Sequence, residues 1–247
     1  MRILISNDDG LNSNGMLHLE EELGQSAEVW AVAPDRERSA TSMAISIRDS
    51  LRVIQAGERR FMITGFPVDC VNVALFLEGF PQFDLVISGI NHGVNLGDDV
   101  HYSGTVGAAR HAAIHGYKTI AISSTITRHD GDFRRVSRWF GSWLGENFER
   151  LKQGVVYNIN YPTEPEGIAP DAPLPEIRFT RQGRRVYHDS YRVMEEGGNY
   201  SVIHINESTL GRVLTSGSDF EALEQGFVSI TPISISVSEL EELEKWP

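Results

Sequence analysis

Two adjacent acidic residues, Asp8 and Asp9, directly follow a short apolar run from Ile3 to Ile5. Such a run is typical of a strand buried on both faces in a parallel sheet. Two carboxylates at its end repel each other and lose solvation, so folding alone does not favour them. Hard divalent cations prefer oxygen ligands, and ligands of open α/β sheets bind beyond the carboxyl ends of the strands. The pair therefore indicates a cation site, whereas a lone Asp-Asp-Gly more often forms a polar turn.

A second candidate site is the run Ser103-Gly104-Thr105, which precedes a predicted small-residue helix over 105–115. The first amides of a helix have no partner within it, and the helix dipole there favours an anion. A phosphate could lie on this helix start while its oxygens also touch a cation held by Asp8 and Asp9. An N-cap with a tight helix–sheet contact explains the run equally well. The Gly-Lys-Ser/Thr ending of a Walker A loop is missing.

Four histidines near these runs are weaker candidates. His92 and His101 flank the phosphate site and could protonate a leaving oxygen, although loop histidines are more often simply solvated. His111 and His115 have the i, i+4 spacing of helical metal ligands, but no third ligand is apparent. We therefore do not predict a metal site at the helical pair.

The order of predicted elements favours one α/β architecture. Apolar runs over 3–6, 29–33, 85–88, 119–123 and 155–160 predict strands, and segments over 16–23, 68–78, 105–115 and 133–151 predict helices. This alternation predicts a Rossmann-like three-layer α/β/α fold with a mostly parallel sheet. Polar segments follow the strands, including 35–42 with Arg36 and Arg38, so we expect them to converge on one sheet edge. The two arginines could meet substrate, but charged loops mostly face solvent.

The chain changes character after Asn160. Five prolines between 162 and 175 break the pattern and predict a boundary between a catalytic core, 1–160, and a C-terminal extension, 161–247. Alternating segments over 176–187 and 200–206 predict a hairpin or extended arm with exposed edges suited to subunit pairing. A short helix over 218–225 capped by Ser218, a strand over 227–236 with an edge at Pro232, and a solvated terminal helix over 239–245 complete the prediction.

Composition excludes several classes of protein. The 247 residues carry a formal net charge of −12, which disfavours broad nucleic-acid binding. A single cysteine, Cys70, makes disulfides within the chain impossible and a cysteine-based zinc site improbable. The N-terminus lacks a signal-peptide pattern, and no apolar run approaches the ~20 residues that span a bilayer. We therefore expect a cytoplasmic protein without a membrane partner.

The residues at the predicted strand ends resemble those of the SurE (survival protein E) family of metal-dependent nucleotidases. The matching stretches follow the family's order: ILISNDDG at 3–10, VAPDRERSATS at 32–42, GFPVDCV at 65–71, SGINHGVNLGDDVHYSGTVGAA at 88–109, NINYP at 158–162, TRQGRRVY at 180–187 and GFVSITPI at 226–233. The first, second and fourth are together highly specific.

The resemblance implies hydrolysis of nucleoside 5′- and 3′-monophosphates with one divalent metal per subunit, Mg²⁺ or Mn²⁺. The implied metal ligands are all oxygen donors: Asp8, Asp9, Ser39 and Asn91. The implied phosphate-binding residues are Asn95, Ser103, Gly104 and Thr105. The catalytic residues would be Asp8 and Asp9, and the C-terminal extension would form dimers or tetramers.

The chain departs from the family pattern in two places, and several alternatives stay open. An Asp-Pro-Arg-Gly segment and a Tyr-Trp pair are usual after TRQG, but residues 188–212 have neither Pro-Arg-Gly nor Trp. The helix before the terminal strand begins Ser218-Asp219, where Thr-Asp is common. These departures leave the substrate preference and the geometry of the arm open. Water attack and an aspartyl-phosphate on Asp8 are both compatible with the residues. A non-catalytic nucleotide-binding protein is the alternative function. A receiver domain would need an acceptor Asp after the third predicted strand, where this chain has Ser88-Gly89-Ile90-Asn91. Haloacid-dehalogenase phosphatases need Asp-x-Asp after the first strand, whereas the two acids here are adjacent.

Overall fold

The structure, a computed structural model, describes residues 1–162, 172–205, 211–213 and 215–236. Its elements follow in chain order. The strands are β1 (Arg2–Ser6), β2 (Glu28–Pro34), β3 (Val53–Gly57), β4 (Arg60–Ile63), β5 (Leu85–His92), β6 (Lys118–Ser124), β7 (Val155–Tyr161), β8 (Ile177–Phe179), β9 (Arg184–Val186), β10 (Tyr191–Glu196), β11 (Ser201–Ile205), β12 (Gly211–Val213) and β13 (Val228–Ser234). The helices are α1 (Asn14–Leu23), α2 (Pro67–Phe76), α3 (Gly104–Ile114), α4 (Arg134–Asn147) and α5 (Asp219–Glu224), with 3₁₀ turns over Gly97–His101 and Phe148–Arg150.

One twisted sheet organises the molecule, with its strands in the order β3-β4-β2-β1-β5-β6-β7-β13-β8. The strands from β4 to β7 are all parallel in this order. Ile3, Leu4 and Ile5 of β1 are fully buried, as expected for a strand covered on both faces. The carboxyl ends of these strands therefore meet at one edge of the sheet. The predicted Rossmann-like α/β fold is confirmed.

Helices cover both faces of the sheet. On one face, α1 and α4 pack through Leu19, Trp139 and Phe140 against the odd-numbered side chains of β1. On the other face, α2 and α3 pack through Val71 and Ala108 against Leu4 and its neighbours. The small residues of α3 let its backbone approach the sheet closely. The start of α3 thus comes directly above the carboxyl end of β1.

The C-terminal segments divide between the sheet and an exposed arm. β13 pairs antiparallel with β7 over 229–234 and parallel with β8 over 228–230, so two segments after Asn160 complete the sheet. Because β8 ends its pairing at Ile230, the proline at 232 lies where β13 has no partner on that side. Antiparallel β10 and β11 form a hairpin, and every residue of both strands is exposed. Only its second strand lies in a segment predicted for the hairpin, because the other predicted segment, 176–187, pairs instead with β13 and β12. The division into domains at 160 stays a prediction.

Several boundaries and one pair of elements differ from the prediction. The β3–β4 hairpin was missed, because β3 is almost wholly exposed and β4 is only four residues long. β5 continues beyond residue 88 to His92, so Asn91 lies in a strand rather than in the loop after it. The predicted strand over 176–187 is two short strands, β8 and β9. The predicted helix over 239–245 lies outside the described residues.

No helix among the described residues is both long enough and apolar enough to cross a bilayer. The short helices instead bury one face each against the sheet.

Candidate active site

Asp8 lies on the turn after β1 and faces the start of α3. Its Oδ1 accepts a hydrogen bond from the Thr105 hydroxyl. A Cβ added to Gly104 would lie 2.9 Å from Asp8 Oδ2 and 3.0 Å from Thr41 Oγ1. Only glycine therefore fits between α3 and this carboxylate without a shift. The sequence predicted that Thr105 binds phosphate, and the structure adds that the same hydroxyl holds Asp8.

Asp9 faces the other side of the turn, towards His92. Its Oδ2 accepts a hydrogen bond from the His92 backbone N–H at 3.2 Å, and its Oδ1 lies 3.7 Å from His92 Nδ1. Asn7 shapes the turn: its Oδ1 accepts from the Gly10 N–H at 3.0 Å, and its Nδ2 donates to the Gly10 carbonyl at 3.1 Å. This side-chain turn directs the two carboxylates to opposite sides of the strand end.

Burial is the main electrostatic feature of the acidic pair. Desolvation raises the pKa of Asp8 to about 6, although the hydrogen bond from Thr105 opposes the shift. Desolvation also raises the pKa of Asp9 to about 6, and the His92 N–H opposes that shift. Two ionised carboxylates at this depth are unfavourable unless a cation compensates them. Among the described residues, no group of three or more His, Cys, Asp or Glu side chains is arranged to hold a metal.

The loop after β2, which carries Ser39, is tied to the Asp8–Asp9 turn through its backbone. The Arg38 N–H donates to the Asp8 carbonyl at 2.7 Å, which fixes the loop beside the turn. Ser39 follows, and its hydroxyl donates to Glu37 Oε1 at 2.5 Å. The loop is tightly folded, since Ala40 and Ser42 both adopt left-handed backbone conformations with φ of 55° and 53°.

Asn91 reaches the site from β5, next to β1. Its Nδ2 donates to the Gly93 carbonyl at 2.7 Å, so its Oδ1 is the side-chain atom that could ligate a cation. The pairing register of β5 with β6 shifts between Ser88 and Asn91, and this irregularity changes the direction of the side chains at the end of β5. The structure thus brings the Asp8–Asp9 turn, the Ser39 loop and Asn91 to one sheet edge.

Asn95 is held by two asparagines that the sequence analysis missed. Its backbone N–H donates to Asn160 Oδ1 at 2.8 Å, and its carbonyl accepts from Asn158 Nδ2 at 2.8 Å and from Asn160 Nδ2 at 3.1 Å. Its own Nδ2 donates to Ser123 Oγ at 2.8 Å. Asparagines at alternate positions of a buried strand are a signal that could have identified this clamp, because buried amides need partners.

Ser103 is the N-cap of α3, and its hydroxyl accepts from the Val106 N–H at 3.1 Å. The loop leading to it is anchored by Asp219 of α5, whose Oδ2 accepts from the Gly97 N–H at 2.8 Å. The sequence analysis assigned no role to Asp219. Through this contact the C-terminal segment supports the loop that carries Asn95 and Ser103.

The four candidate histidines differ in their exposure and in the groups that they contact. The His92 side chain is only 4% exposed and lies beside Asp9, whereas His101 is exposed at the end of a 3₁₀ turn. The His111 and His115 rings meet edge-on with centroids 4.7 Å apart, and His111 Nε2 lies 3.2 Å from Asn72 Oδ1. The helical pair therefore has neighbours that account for it without a metal.

The two arginines also differ. Arg38 is mostly buried, lies 3.5 Å from Asp35 Oδ1 and covers the Phe66 ring at 5.5 Å. Arg36 is 68% exposed and lines a cavity next to Asp9. Arg38 therefore supports the loop, and Arg36 is the arginine available to a ligand.

Comparison with known proteins agrees with this geometry. The family model described as "Survival protein SurE" matches residues 3–189. The chain belongs to the SurE family. A "5'-nucleotidase SurE" of Leptospira interrogans is 44% identical over 235 residues, covering 95% of this chain and 92% of the relative. Its counterpart in Leptospira biflexa is 40% identical over 245 residues, covering 99% and 98%. The recognition made from the motifs is confirmed.

The fold is shared with a solved SurE structure. The crystal structure of the SurE protein from Aquifex aeolicus superimposes with a TM-score of 0.81 at 28% identity, covering 100% of this chain and 98% of that chain. The likeness therefore includes the C-terminal segments as well as the α/β core. The SurE motifs that follow β1, β2 and β5 are those that form the site described above.

Proposed function

We propose that this chain is a metal-dependent 5′-nucleotidase that hydrolyses nucleoside 5′-monophosphates, and also 3′-monophosphates, to nucleoside and phosphate. The observation that carries the proposal is the buried Asp8–Asp9 pair lying against the start of α3. Membership of the SurE family and the 5′-nucleotidase name of the curated relatives support the reaction. A non-catalytic regulatory role is not favoured by these relatives.

The donor set fits one divalent cation, Mg²⁺ or Mn²⁺, per subunit. Asp8, Asp9, Asn91 and Ser39 would supply only oxygen, which hard cations prefer. The Ser39 hydroxyl donates a hydrogen bond to Glu37, so the lone pairs of the hydroxyl oxygen stay available to a cation. Two carboxylates with a pKa raised by burial gain most from a positive charge. When bound, such a cation would neutralise charge on the phosphoryl oxygens.

The protein's own groups would position the phosphoryl group. The first amides of α3, at Gly104 and Thr105, together with the helix dipole, favour an anion at the helix start. The hydrogen bond from Thr105 fixes Asp8 next to that anion, and the clamp on Asn95 holds a further amide side chain nearby. Enzymes accelerate phosphate-monoester hydrolysis by up to ~10²¹-fold, and one general acid or base supplies only about 10²–10⁴. Electrostatic positioning must therefore supply most of the rate.

Direct attack of water on phosphorus is the mechanism that we propose. It predicts inversion at a chiral phosphate, whereas an aspartyl-phosphate on Asp8 predicts retention through two displacements. Hydrolysis of a chiral, oxygen-labelled nucleoside phosphorothioate in isotopically labelled water distinguishes the two routes, because the thiophosphate product stays chiral.

Phosphate release from a panel of nucleoside monophosphates tests the activity. The protein is stripped with EDTA and then given Mn²⁺ or Mg²⁺, beside Asp9→Asn and the exposed-site control Asp49→Asn. Metal-dependent release that only Asp9→Asn abolishes is the expected result. Folded, metal-loaded protein that releases no phosphate from any nucleotide would contradict the proposal.

Assembly and location complete the proposal. The exposed β10–β11 arm suits pairing between copies of the chain, so we expect a homodimer or homotetramer. A cytoplasmic location agrees with the single, buried and unpaired Cys70.

A further inference from the structure

A cavity of about 300 Å³ opens on the Asp9 side of the acidic pair. Asp8 faces α3, whereas Asp9 faces this cavity, which lies at the starts of α1 and α4. Its lining combines one aliphatic and one thioether side chain with carboxylate, carboxamide, guanidinium and imidazole groups: Asp9, Gly10, Leu11, Asn12, Ser13, Asp35, Arg36, Met62, His92 and His129. Ligand cavities typically measure 300–1,000 Å³ and combine apolar walls with a few convergent polar groups.

His92 is a second indication that the cavity binds a ligand. Its side chain is 4% exposed, and neither ring nitrogen has a hydrogen-bond partner among the described residues. One face of the ring stacks on Phe133 at 5.0 Å, and the His129 ring meets it edge-on at 5.3 Å. Buried polar groups are nearly always hydrogen-bonded, so these nitrogens point to a ligand with polar atoms.

Two further polar side chains that line the cavity, Asn12 and Asp35, each have one atom bound to another residue and one atom left for a ligand. Asn12 Oδ1 accepts from Arg60 Nη2 at 3.3 Å, which leaves the Asn12 Nδ2 as a donor. Asp35 Oδ1 lies 3.5 Å from Arg38 Nη2 and 4.0 Å from Arg36 Nε, which leaves its Oδ2 as an acceptor. Arg36 itself is largely exposed, and its planar guanidinium can stack on an aromatic ring.

We propose that this cavity binds the ribonucleoside half of the substrate, an inference that rests on the proposed nucleotidase function. The phosphate lies at the start of α3, and the ester bond crosses the Asp8–Asp9 turn. The Asp35 carboxylate accepts hydrogen bonds from the ribose hydroxyls, and the base lies against Arg36 and His129. Asp35 is thereby a specificity-determining residue for ribose over deoxyribose.

A ratio of substrates tests the role of Asp35. In the wild type, kcat/KM for AMP should exceed that for 2′-deoxy-AMP by about tenfold, as expected when a hydroxyl bonds a charged acceptor. Asp35→Ala should reduce this ratio to within about twofold, and Asp130→Ala, a nearby exposed carboxylate outside the cavity, should retain the wild-type ratio. Any disturbance of Arg38 by the variant lowers both rates alike and leaves the ratio unchanged. An unchanged ratio in Asp35→Ala, or a wild type without preference, overturns the assignment.

A binding measurement separates this inference from the phosphatase activity. Calorimetric titration of EDTA-treated protein with adenosine and with 2′-deoxyadenosine needs no catalysis. Tighter binding of adenosine that Asp35→Ala abolishes supports the subsite even if no phosphate is released from any nucleotide. Equal binding of the two nucleosides, or no binding of either, overturns it. If the protein hydrolyses neither AMP nor p-nitrophenyl phosphate but still binds adenosine, the result contradicts the proposed function and leaves the nucleoside subsite standing.

Discussion

Asp8 and Asp9 are buried at the end of a strand, and this burial determines how the metal-free protein responds to pH. Both carboxyl groups have a pKa of about 6, compared with an ordinary value of 3.8. Between these values the folded protein binds more protons than the unfolded chain. Stability therefore falls as the pH rises through this window, because ionisation is disfavoured only in the folded state.

Asp8→Asn should remove this pH dependence for one of the two groups. When EDTA has removed any metal, the variant is expected to unfold at a higher temperature than the wild type at pH 7. The difference in unfolding temperature should shrink towards pH 4. The difference between a pKa of about 6 and the ordinary value of 3.8 corresponds to about 3 kcal/mol at most. Thermal unfolding in EDTA between pH 4 and 7.5 measures it, and a difference that stays constant across this range contradicts the prediction.

The hydroxyl of Thr105 orients the Asp8 carboxylate, and its removal should weaken the site without disturbing the core. Thr105→Val preserves the shape of this fully buried side chain but lacks the donor. Loss of a group that orients a metal ligand typically reduces metal affinity or activity by about 10–100-fold. We expect such a loss in Mn²⁺ titrations of Thr105→Val.

Thr105→Ser supplies the matched control for this experiment. The serine side chain keeps the hydroxyl that valine lacks, so this variant should bind Mn²⁺ almost as tightly as the wild type. Equal affinities of the serine and valine variants would show that the hydrogen bond to Asp8 has no role.

At the level of elements, the site depends on how closely α3 approaches two neighbouring segments. A Cβ added to Gly107 would lie 2.2 Å from the Ser42 carbonyl, and one added to Gly104 would lie 2.9 Å from Asp8 Oδ2. Glycine disfavours a helix by about 1 kcal/mol relative to alanine, so contact with the site is the reason for its presence. The start of α3 is therefore built around Asp8 and the loop after β2.

Gly104→Ala should separate activity from stability. The added methyl group displaces Asp8 or Thr41, so nucleotidase activity is expected to fall more than tenfold while thermal stability changes little. Gly145→Ala in α4 is the matched control, because no atom lies within 4 Å of its added Cβ. That variant should gain about 0.5–1 kcal/mol and retain activity. Full activity in Gly104→Ala would contradict the close approach.

Sequence patterns predicted elements whose apolar residues repeat and missed those fixed by tertiary contacts. The buried runs of β1, β2 and β6 and the amphipathic helix α4 carry their own signal. The β3–β4 hairpin has a weaker signal, because β3 is exposed at the edge of the sheet and β4, which joins it to β2, is only four residues long.

The candidate site was predicted through its motifs, whereas its supporting contacts were not. Asp8 and Asp9 were predicted from their place after a buried apolar run, whereas Ser39 and Asn91 were predicted only through the resemblance to the family. The clamp of Asn158 and Asn160 on Asn95 joins residues more than 60 positions apart. No local pattern encodes that pairing, so it emerged only from the fold.

At the scale of the whole molecule, the β10–β11 arm carries apolar side chains that a monomer leaves in water. Tyr191 pairs with Ile205 and Val193 with Ile203 across the hairpin, and all four side chains are 50–61% exposed. Paired residues share one face of the hairpin, so these four form an apolar surface. Arg192 and His204 lie opposite each other on the other face. An isolated two-stranded hairpin is marginally stable in water, which favours a second copy of the chain as its cover.

Replacing one cross-strand pair on each face tests this assembly. Val193→Glu with Ile203→Lys keeps a favourable pair across the hairpin but places two charges in the apolar surface. We expect this variant to have a lower mass than the wild type by size-exclusion chromatography with light scattering. The matched control, Arg192→Glu with His204→Lys, alters only the polar face and should retain the wild-type mass. A monomeric wild type, or a double variant that assembles as the wild type does, would show that the arm does not join subunits.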